Sequence, residues 1–158
     1  MESLHKKYST TFCILIIVLL TACKNDIDYE KIRPEILKFS CAQFDSSTVN
    51  STLKNLLEID TARISNGLYL YYNDLGMTYQ GMAAIDDGQK AYNDLAISCY
   101  NKCVTIDKNN GESYYHLCLI YFLNQQHEMA KKYVEPYKKY TEQKSWDTTL
   151  INMVEKHN

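Results

Sequence analysis

Two similar segments between residues 69 and 141 most constrain how this chain can fold. Both carry one pattern of apolar and small residues at spacings of three and four: Tyr72, Leu75, Gly76 and Tyr79, then Tyr114, Leu117, Cys118 and Tyr121. A second pattern follows each of them: Ala96, Tyr100 and Cys103, then Ala130, Val134 and Tyr137. These spacings place each set on one face of a helix, so each unit is predicted to be a pair of helices.

The doubled pattern resembles the tetratricopeptide repeat. The first helix of that family carries an aromatic residue, Leu-Gly and Tyr, and its second carries Ala, an aromatic and a small residue. Gly76 and the two alanines would let helices approach closely, while the leucines and tyrosines fill the space between them. The resemblance implies an all-α fold, a short α-solenoid of antiparallel helix pairs. The units are expected at about 69–107 and 111–141, followed by a C-terminal capping helix at about 145–157.

The two units differ in the distance between their patterns. Tyr79 and Ala96 are 17 residues apart, whereas Tyr121 and Ala130 are nine apart. We expect the eight extra residues, which include 83–88, to form an elongated loop between the helices of the first unit.

The end of the second unit indicates where the stack stops. Tyr137 is bulky where the family has a small residue, and Ser145 is placed to cap a last helix over 146–156. The apolar side of that helix would be formed by Trp146, Leu150, Ile151, Met153 and Val154. Such a helix would cover the exposed face of the last repeat.

Two helices are predicted before the repeats. The first covers 29–39, where Pro34 is expected to break it or start it afresh. The second is capped by Ser46-Ser47 and continues to Ile64, with Asn66-Gly67 as its stop. Because about three repeats are normally needed for a stable stack, this second helix is expected to supply a missing half-repeat.

The first 23 residues predict export and attachment to a membrane. Lys6 and Lys7 precede a short apolar run over 12–20, which is too short to span a bilayer, and Leu20-Thr21-Ala22-Cys23 closes the segment. These four residues resemble the lipobox of bacterial lipoprotein precursors. The resemblance implies cleavage before Cys23, diacylglycerol addition to its thiol and acylation of the new amino terminus. The alternative is an ordinary signal peptide with an incidental cysteine.

The expected organisation therefore has three parts: a signal peptide at 1–22, a lipidated cysteine with a polar tether at 23–46, and a helical repeat domain at 47–158. The signal carries a net charge of +1, so cleavage changes the formal charge from −2 to −3. Such a chain lacks the concentrated Lys and Arg of nucleic-acid binders, and no nucleic-acid partner is predicted. Lys24 rather than Asp follows the cysteine, so by resemblance the outer membrane of the cell envelope is favoured.

Cysteines and histidines offer no catalytic or metal pattern. Of the thiols expected in the mature chain besides Cys23, we expect Cys41, Cys99, Cys103 and Cys118 to pack between helices, with a disulfide or a metal as alternatives. His116, His127 and His157 are expected at the surface, and the exposed Asp86-Asp87 turn is expected to be solvated. No phosphate loop, nucleotide-binding turn, zinc motif or nucleophile elbow is present. The sequence predicts neither an enzyme, nor a cofactor, nor a small-molecule substrate.

Binding of a protein partner is the remaining prediction. In tetratricopeptide arrays the first helix of each unit lines a concave face, which here would present Asn73, Met77, Gln80, Tyr115, Leu119 and Phe122. The alternative is that some of them pack beneath the N-terminal segment or the terminal helix. The favoured function is a lipid-anchored, non-enzymatic interaction module. An immunity or inhibitor lipoprotein that sequesters a toxin, and a pilotin-like or outer-membrane-assembly lipoprotein, remain alternatives.

The lipobox makes a direct chemical prediction. Mass spectrometry of the purified protein should find an amino terminus that begins at Cys23 and carries fatty acid. An intact amino terminus at Met1, or a processed one without fatty acid, would contradict the lipoprotein assignment.

Overall fold

A computed structural model describes residues 26–37, 45–85 and 89–156. The predictions made for the signal peptide, Cys23, Cys41, Asp86-Asp87 and His157 lie outside these residues. The described chain is mostly helical, which confirms the all-α character expected from the sequence. Its one addition is a small pair of parallel strands.

The elements follow one another in an order dominated by four longer helices. They are β1 (Ile27–Asp28), α1 (Tyr29–Ile36), α2 (Ser46–Leu57), β2 (Ile64–Asn66), α3 (Leu68–Ile85), α4 (Gln89–Ile106), α5 (Gly111–Leu123), α6 (His127–Tyr140) and α7 (Thr148–Lys156). The most extensive contacts join α3 to α4 and α5 to α6, so each half of the repeated pattern brings two helices together. Short 3-10 turns precede β2 and α7.

The first strand ties the N-terminal segment to the body of the protein. β1 pairs with β2 in parallel, Ile27 opposite Ile64 and Asp28 opposite Asn66. Gly67 then turns the chain into α3 with a positive φ of 79°, and a β-carbon there would lie 3.0 Å from the Glu30 side chain. Part of the predicted tether is thus a packed component of the fold.

Both predicted boundaries of the N-terminal helices are corrected. α1 continues through the exposed Pro34 to Ile36, so the proline neither ends the helix nor starts it afresh. α2 is capped by Asp45 rather than Ser46, and its carboxylate accepts the backbone N–H of Thr48 at 2.9 Å. Hydrogen bonds from Thr48 and Ser47 lower the pKa of Asp45 to about 2.

The later part of the predicted second helix is not helical. α2 ends at Leu57, seven residues before the predicted end at Ile64. Asp60 instead caps a 3-10 turn by accepting the N–H of Ala62 at 3.2 Å, and Ile64 enters β2. A capping carboxylate inside the apolar periodicity therefore ended the helix early.

The eight extra residues of the first unit are mainly helical, contrary to the predicted loop. α3 continues to Ile85 and α4 begins at Gln89, so both helices have 18 residues, against 13 in α5 and 14 in α6. Met82 and Ala83 are buried in α3. The burial of these two apolar side chains stabilises the helix over this segment.

The last helix is shorter than predicted. Ser145 ends a 3-10 turn rather than capping α7, which begins at Thr148. The carboxylate of Asp147 accepts the N–H of Leu150 at 2.9 Å and so takes the capping role. The apolar side of the helix is confirmed for Leu150, Ile151 and Val154, whereas Met153 is exposed.

Three apolar clusters follow one another along the chain and form the core. The N-terminal cluster contains Tyr29, Leu56, Tyr71, Leu75 and Cys99. The middle cluster contains Ala96, Tyr100, Leu117 and Ile120. The C-terminal cluster contains Cys118, Ala130, Val134, Tyr137, Leu150, Ile151 and Val154. Most of the repeated positions are therefore core positions, as the pattern predicts.

Close approach of α3 and α4 depends on Gly76. A β-carbon at this position would lie 2.8 Å from the ring of Tyr100, well inside van der Waals contact. That ring is fully buried; it stacks on His116, and its hydroxyl donates to Gln80. The ring therefore has little freedom to move aside.

Two consecutive polar side chains on α3 are buried and fully paired. The carboxylate of Asp74 accepts hydrogen bonds from Arg33 at 2.6 and 2.8 Å and from the hydroxyl of Tyr29 at 2.9 Å. Asn73 donates to Glu112 at 3.0 Å and accepts from the hydroxyl of Ser113 at 2.8 Å. Asp74 thus holds α1 against α3, and Asn73 joins α3 to α5.

Gly76→Ala is expected to lower the free energy of unfolding by up to about 2 kcal/mol. Overpacking against Tyr100 costs about 1–3 kcal/mol, and the better helix propensity of alanine offsets about 1 kcal/mol of it. Chemical denaturation measures the change. Ser98→Ala on the exposed face of α4 is the matched control and should change little; a more stable Gly76→Ala protein would contradict the close approach.

Arg33→Met should lower the free energy of unfolding by about 2–3 kcal/mol. It leaves the buried Asp74 carboxylate unpaired, and the loss is smaller than for a fully buried pair because Arg33 keeps part of its solvent contact. Adding Asp74→Asn should recover part of the loss. Lys31→Met on the same helix removes only an exposed ion pair with Asp28; equal losses for Arg33→Met and Lys31→Met would contradict the role of the buried pair.

Candidate partner-binding recess

The α3 side of the predicted binding face is used for internal contacts. Asn73 is completely buried, so its predicted outward orientation is wrong. Its amide group forms hydrogen bonds with Glu112 and Ser113 of α5. Met77 packs against the middle cluster and Gln80 accepts from Tyr100. These three side chains do not form a free binding surface.

The three predicted residues on the α5 side of that face have different surroundings. Leu119 and Phe122 pack against the C-terminal cluster, which α6 and α7 help to form. Tyr115 also touches this cluster, but it lines a recess as well. Of the six predicted residues, Tyr115 is therefore the one that the structure places at a candidate site.

We name this site the aromatic recess. It has a volume of about 400 Å³ and lies between α5, the end of α6 and the segment that leads into α7. Its lining residues are Glu112, Tyr115, Tyr137, Thr141, Lys144, Ser145, Trp146 and Asp147. Three of the eight side chains are aromatic, and three carry charge at neutral pH.

The aromatic walls are held by hydrogen bonds. The hydroxyl of Tyr137 donates to the carbonyl of Ser145 at 3.2 Å and accepts the N–H of Asp147 at 2.7 Å. The indole N–H of Trp146 donates to the carbonyl of Thr141 at 3.0 Å. Tyr115 lies against Tyr137 with ring centroids 5.5 Å apart. Such fixed rings offer binding area at low cost in conformational entropy.

The recess carries two carboxylates that have no cationic partner among the described residues. Glu112 is exposed overall, but its carboxylate lies beside buried Asn73, and desolvation together with the charge of Asp74 raises the pKa of Glu112. Asp147 raises the pKa of Tyr115, in addition to the larger effect of burial. Lys144 already pairs with Glu142 at 2.6 Å.

Gly111 allows the start of α5 to pack closely against the end of α6 beside the recess. A β-carbon at this first position of α5 would lie 2.1 Å from the hydroxyl oxygen of Thr141 and 2.7 Å from the carbonyl of Tyr140. Any other residue would push the start of α5 away from the end of α6. The hydroxyl of Thr141 is itself buried and has no hydrogen-bond partner among the described residues.

A larger groove of about 660 Å³ follows α3 and α4 but lacks comparable features. It contains none of the six predicted residues. Its one aromatic side chain, Tyr72, already has the ammonium of Lys102 5.0 Å from its ring centroid. The aromatic recess is therefore the better candidate for recognition of a partner.

The described cysteines are consistent with packing. Cys99, Cys103 and Cys118 are buried free thiols, and burial raises the pKa of each to about 11. A protonated thiol is neither a nucleophile nor a good metal ligand. Within residues 26–37, 45–85 and 89–156, no group of three or more His, Cys, Asp or Glu could hold a metal ion.

His116 is not the surface residue that the sequence predicted. Its ring stacks on Tyr100 with centroids 4.9 Å apart, and burial lowers its pKa to about 4. His127 is also partly buried and lies beside Phe122. These histidines contribute to packing against aromatic rings, which the helical spacing alone did not reveal.

No family model, curated protein or solved structure matches this chain. Among the described helices, none combines the length and apolar character needed to cross a bilayer.

Most of the recess is not evident from the sequence. The helical spacing places Trp146 on the apolar side of the last helix and Tyr137 at the end of the stack. No motif points to Glu112, Lys144 or Asp147. A usable signal was the density of aromatic and charged side chains between Tyr137 and Asp147, where the repeat pattern ends.

Proposed function

We propose that this protein is a lipid-anchored, non-enzymatic interaction module of the bacterial envelope, and that it binds a protein partner at the aromatic recess. The lipobox residues Leu20-Thr21-Ala22-Cys23 support the anchor, and Lys24 favours the outer membrane. Neither assignment depends on the helical domain, so each part of the proposal can fail separately.

The helical domain is proposed to be a short tetratricopeptide-like stack with α7 as its cap. The connections between successive long helices contain only three or four residues, which favours antiparallel neighbours. Most of the repeated positions are buried, and Gly76 lies against Tyr100, in line with the close helix approach that the family pattern implies. Leu150, Ile151 and Val154 of α7 pack onto the last pair, which agrees with a capping role.

The aromatic recess is the observation that carries the binding function. Aromatic side chains are enriched at the centres of protein interfaces because they bury much area with few rotatable bonds. Here Tyr115, Tyr137 and Trp146 surround one recess, and hydrogen bonds fix two of them before any partner arrives. A preformed pocket of this kind suits an anchor side chain from a partner protein.

The anchor and the recess would belong to one rigid unit. The described chain begins at Asp26, three residues after Cys23, and β1 and α1 are held by the strand pair and by Asp74. Three residues reach at most about 10 Å. A lipid on Cys23 would therefore hold the domain close to the bilayer surface, where an envelope partner can meet it.

Site-specific photo-crosslinking in intact cells tests this proposal. A photoreactive amino acid in place of the exposed Lys144, at the recess, should give a discrete crosslinked product with a protein partner. The same group in place of Lys90, at the exposed start of α4, is the matched control and should give none. Tyr115→Ala should reduce the product from position 144 at least fivefold, provided that circular dichroism shows an unchanged fold.

Two results would contradict the proposal. Identical products from positions 144 and 90 would indicate nonspecific proximity rather than docking. A product from position 144 that persists undiminished in Tyr115→Ala would show that the partner does not use the recess.

A further inference from the structure

We propose that the aromatic recess binds an arginine side chain of the protein partner. This inference rests on the proposed function, which supplies a protein partner, and it adds the chemistry that the partner must present. Three independent features of the recess support the proposal: its charge, the exposed faces of its aromatic rings, and carboxylate oxygens that can still accept hydrogen bonds.

The charge of the recess favours a cation. Glu112 and Asp147 both line it, and neither forms an ion pair with any lysine, arginine or histidine of the described chain. The one lining cation, Lys144, is offset by Glu142. A guanidinium that entered the recess would therefore meet two carboxylates, while Arg33, whose charge also acts on Glu112, is already paired with Asp74.

The aromatic rings of the recess also lack a cation. Elsewhere in the described chain, Lys102 lies over Tyr72 and Lys139 lies over Tyr140. No lysine or arginine of the described residues lies in this way over Tyr115 or Trp146, the two partly exposed rings of the recess, whereas Tyr137 is buried. Tryptophan provides the strongest ring face for a cation, and a planar guanidinium stacks on it better than an ammonium does.

The recess also offers carboxylate oxygens that can accept hydrogen bonds from a ligand. The Glu112 carboxylate accepts the hydrogen bond from Asn73 with one of its two oxygens, so the second oxygen can still accept from a ligand. The second carboxylate of the recess belongs to Asp147, one of whose oxygens accepts the N–H of Leu150. An arginine side chain carries five N–H donors in a rigid fork, enough to bond to more than one carboxylate oxygen. The volume of about 400 Å³ is sufficient for it.

An ammonium group from a lipid headgroup has related chemistry, so the experiment must separate it from arginine. Trp146 is the single tryptophan of the chain, and its intrinsic fluorescence therefore reports on the recess alone. The full lipidated protein in uncharged detergent micelles is titrated with four probes: acetyl-Gly-Arg-Gly-amide, the same peptide with lysine or with citrulline, and choline. Citrulline has nearly the shape of arginine but no charge.

The expected result is a saturable fluorescence change with the arginine peptide, at a Kd of about 1 mM, as befits one side chain. The citrulline peptide should bind at least tenfold more weakly, and the lysine peptide and choline severalfold more weakly. Glu112→Gln should weaken arginine binding about fivefold. Glu58→Gln, an exposed carboxylate at the end of α2, is the matched control and should leave binding unchanged.

Other results would overturn the inference. Equal binding of arginine and citrulline removes the role of charge, and tighter binding of choline or lysine assigns the recess to an ammonium instead. If no cation changes the fluorescence while position 144 still gives a crosslink that depends on Tyr115, the partner docks through different chemistry. In that case this inference fails and the proposed function stands.

Discussion

Two adjacent polar side chains, Asn73 and Asp74, hold the N-terminal part, the first helix pair and the second pair together. Burial of an amide and a carboxylate is costly in free energy unless their polar atoms form hydrogen bonds. Each of the two side chains therefore requires hydrogen-bonding neighbours. Asp74 requires Arg33 and Tyr29 of α1, and Asn73 requires Glu112 and Ser113 of α5. Two adjacent buried polar side chains on α3 thereby specify the arrangement of three helices.

This arrangement connects the proposed anchor with the proposed binding site. Arg33 lies in the first helix after the lipobox cysteine, and Glu112 lies in the wall of the aromatic recess. Between them are only Asp74 and Asn73, neighbours in sequence on one helix. The position of the recess therefore depends on a network that begins near the proposed membrane anchor, and Asn73 orients the Glu112 carboxylate that we propose to meet a guanidinium.

The sequence predicted the core better than the surface, for a physical reason. Ala96, Ala130, Leu75 and Leu117 are buried as their spacing indicates, because periodicity reports which face of a helix is apolar. Periodicity did not report that Asp60 would end α2 early or that Met82 and Ala83 would extend α3. It also placed Asn73 outward, since the partner that buries it, Glu112, comes from a helix 39 residues later. The recess was missed because no single element contains it.

The proposed stack of two helix pairs would offer little concave surface, and this limits how we propose it to bind. Longer arrays hold an extended peptide along many repeats, whereas here Asn73, Met77, Gln80, Leu119 and Phe122 are engaged in internal packing. Affinity must then come from a few well-built contacts rather than from area, as it does at interface hot spots. The aromatic recess, with its fixed rings and two carboxylates that form no ion pair with described residues, can provide such contacts for one anchor side chain. Contacts outside the recess, or several copies of the protein on one membrane, would have to raise the affinity further.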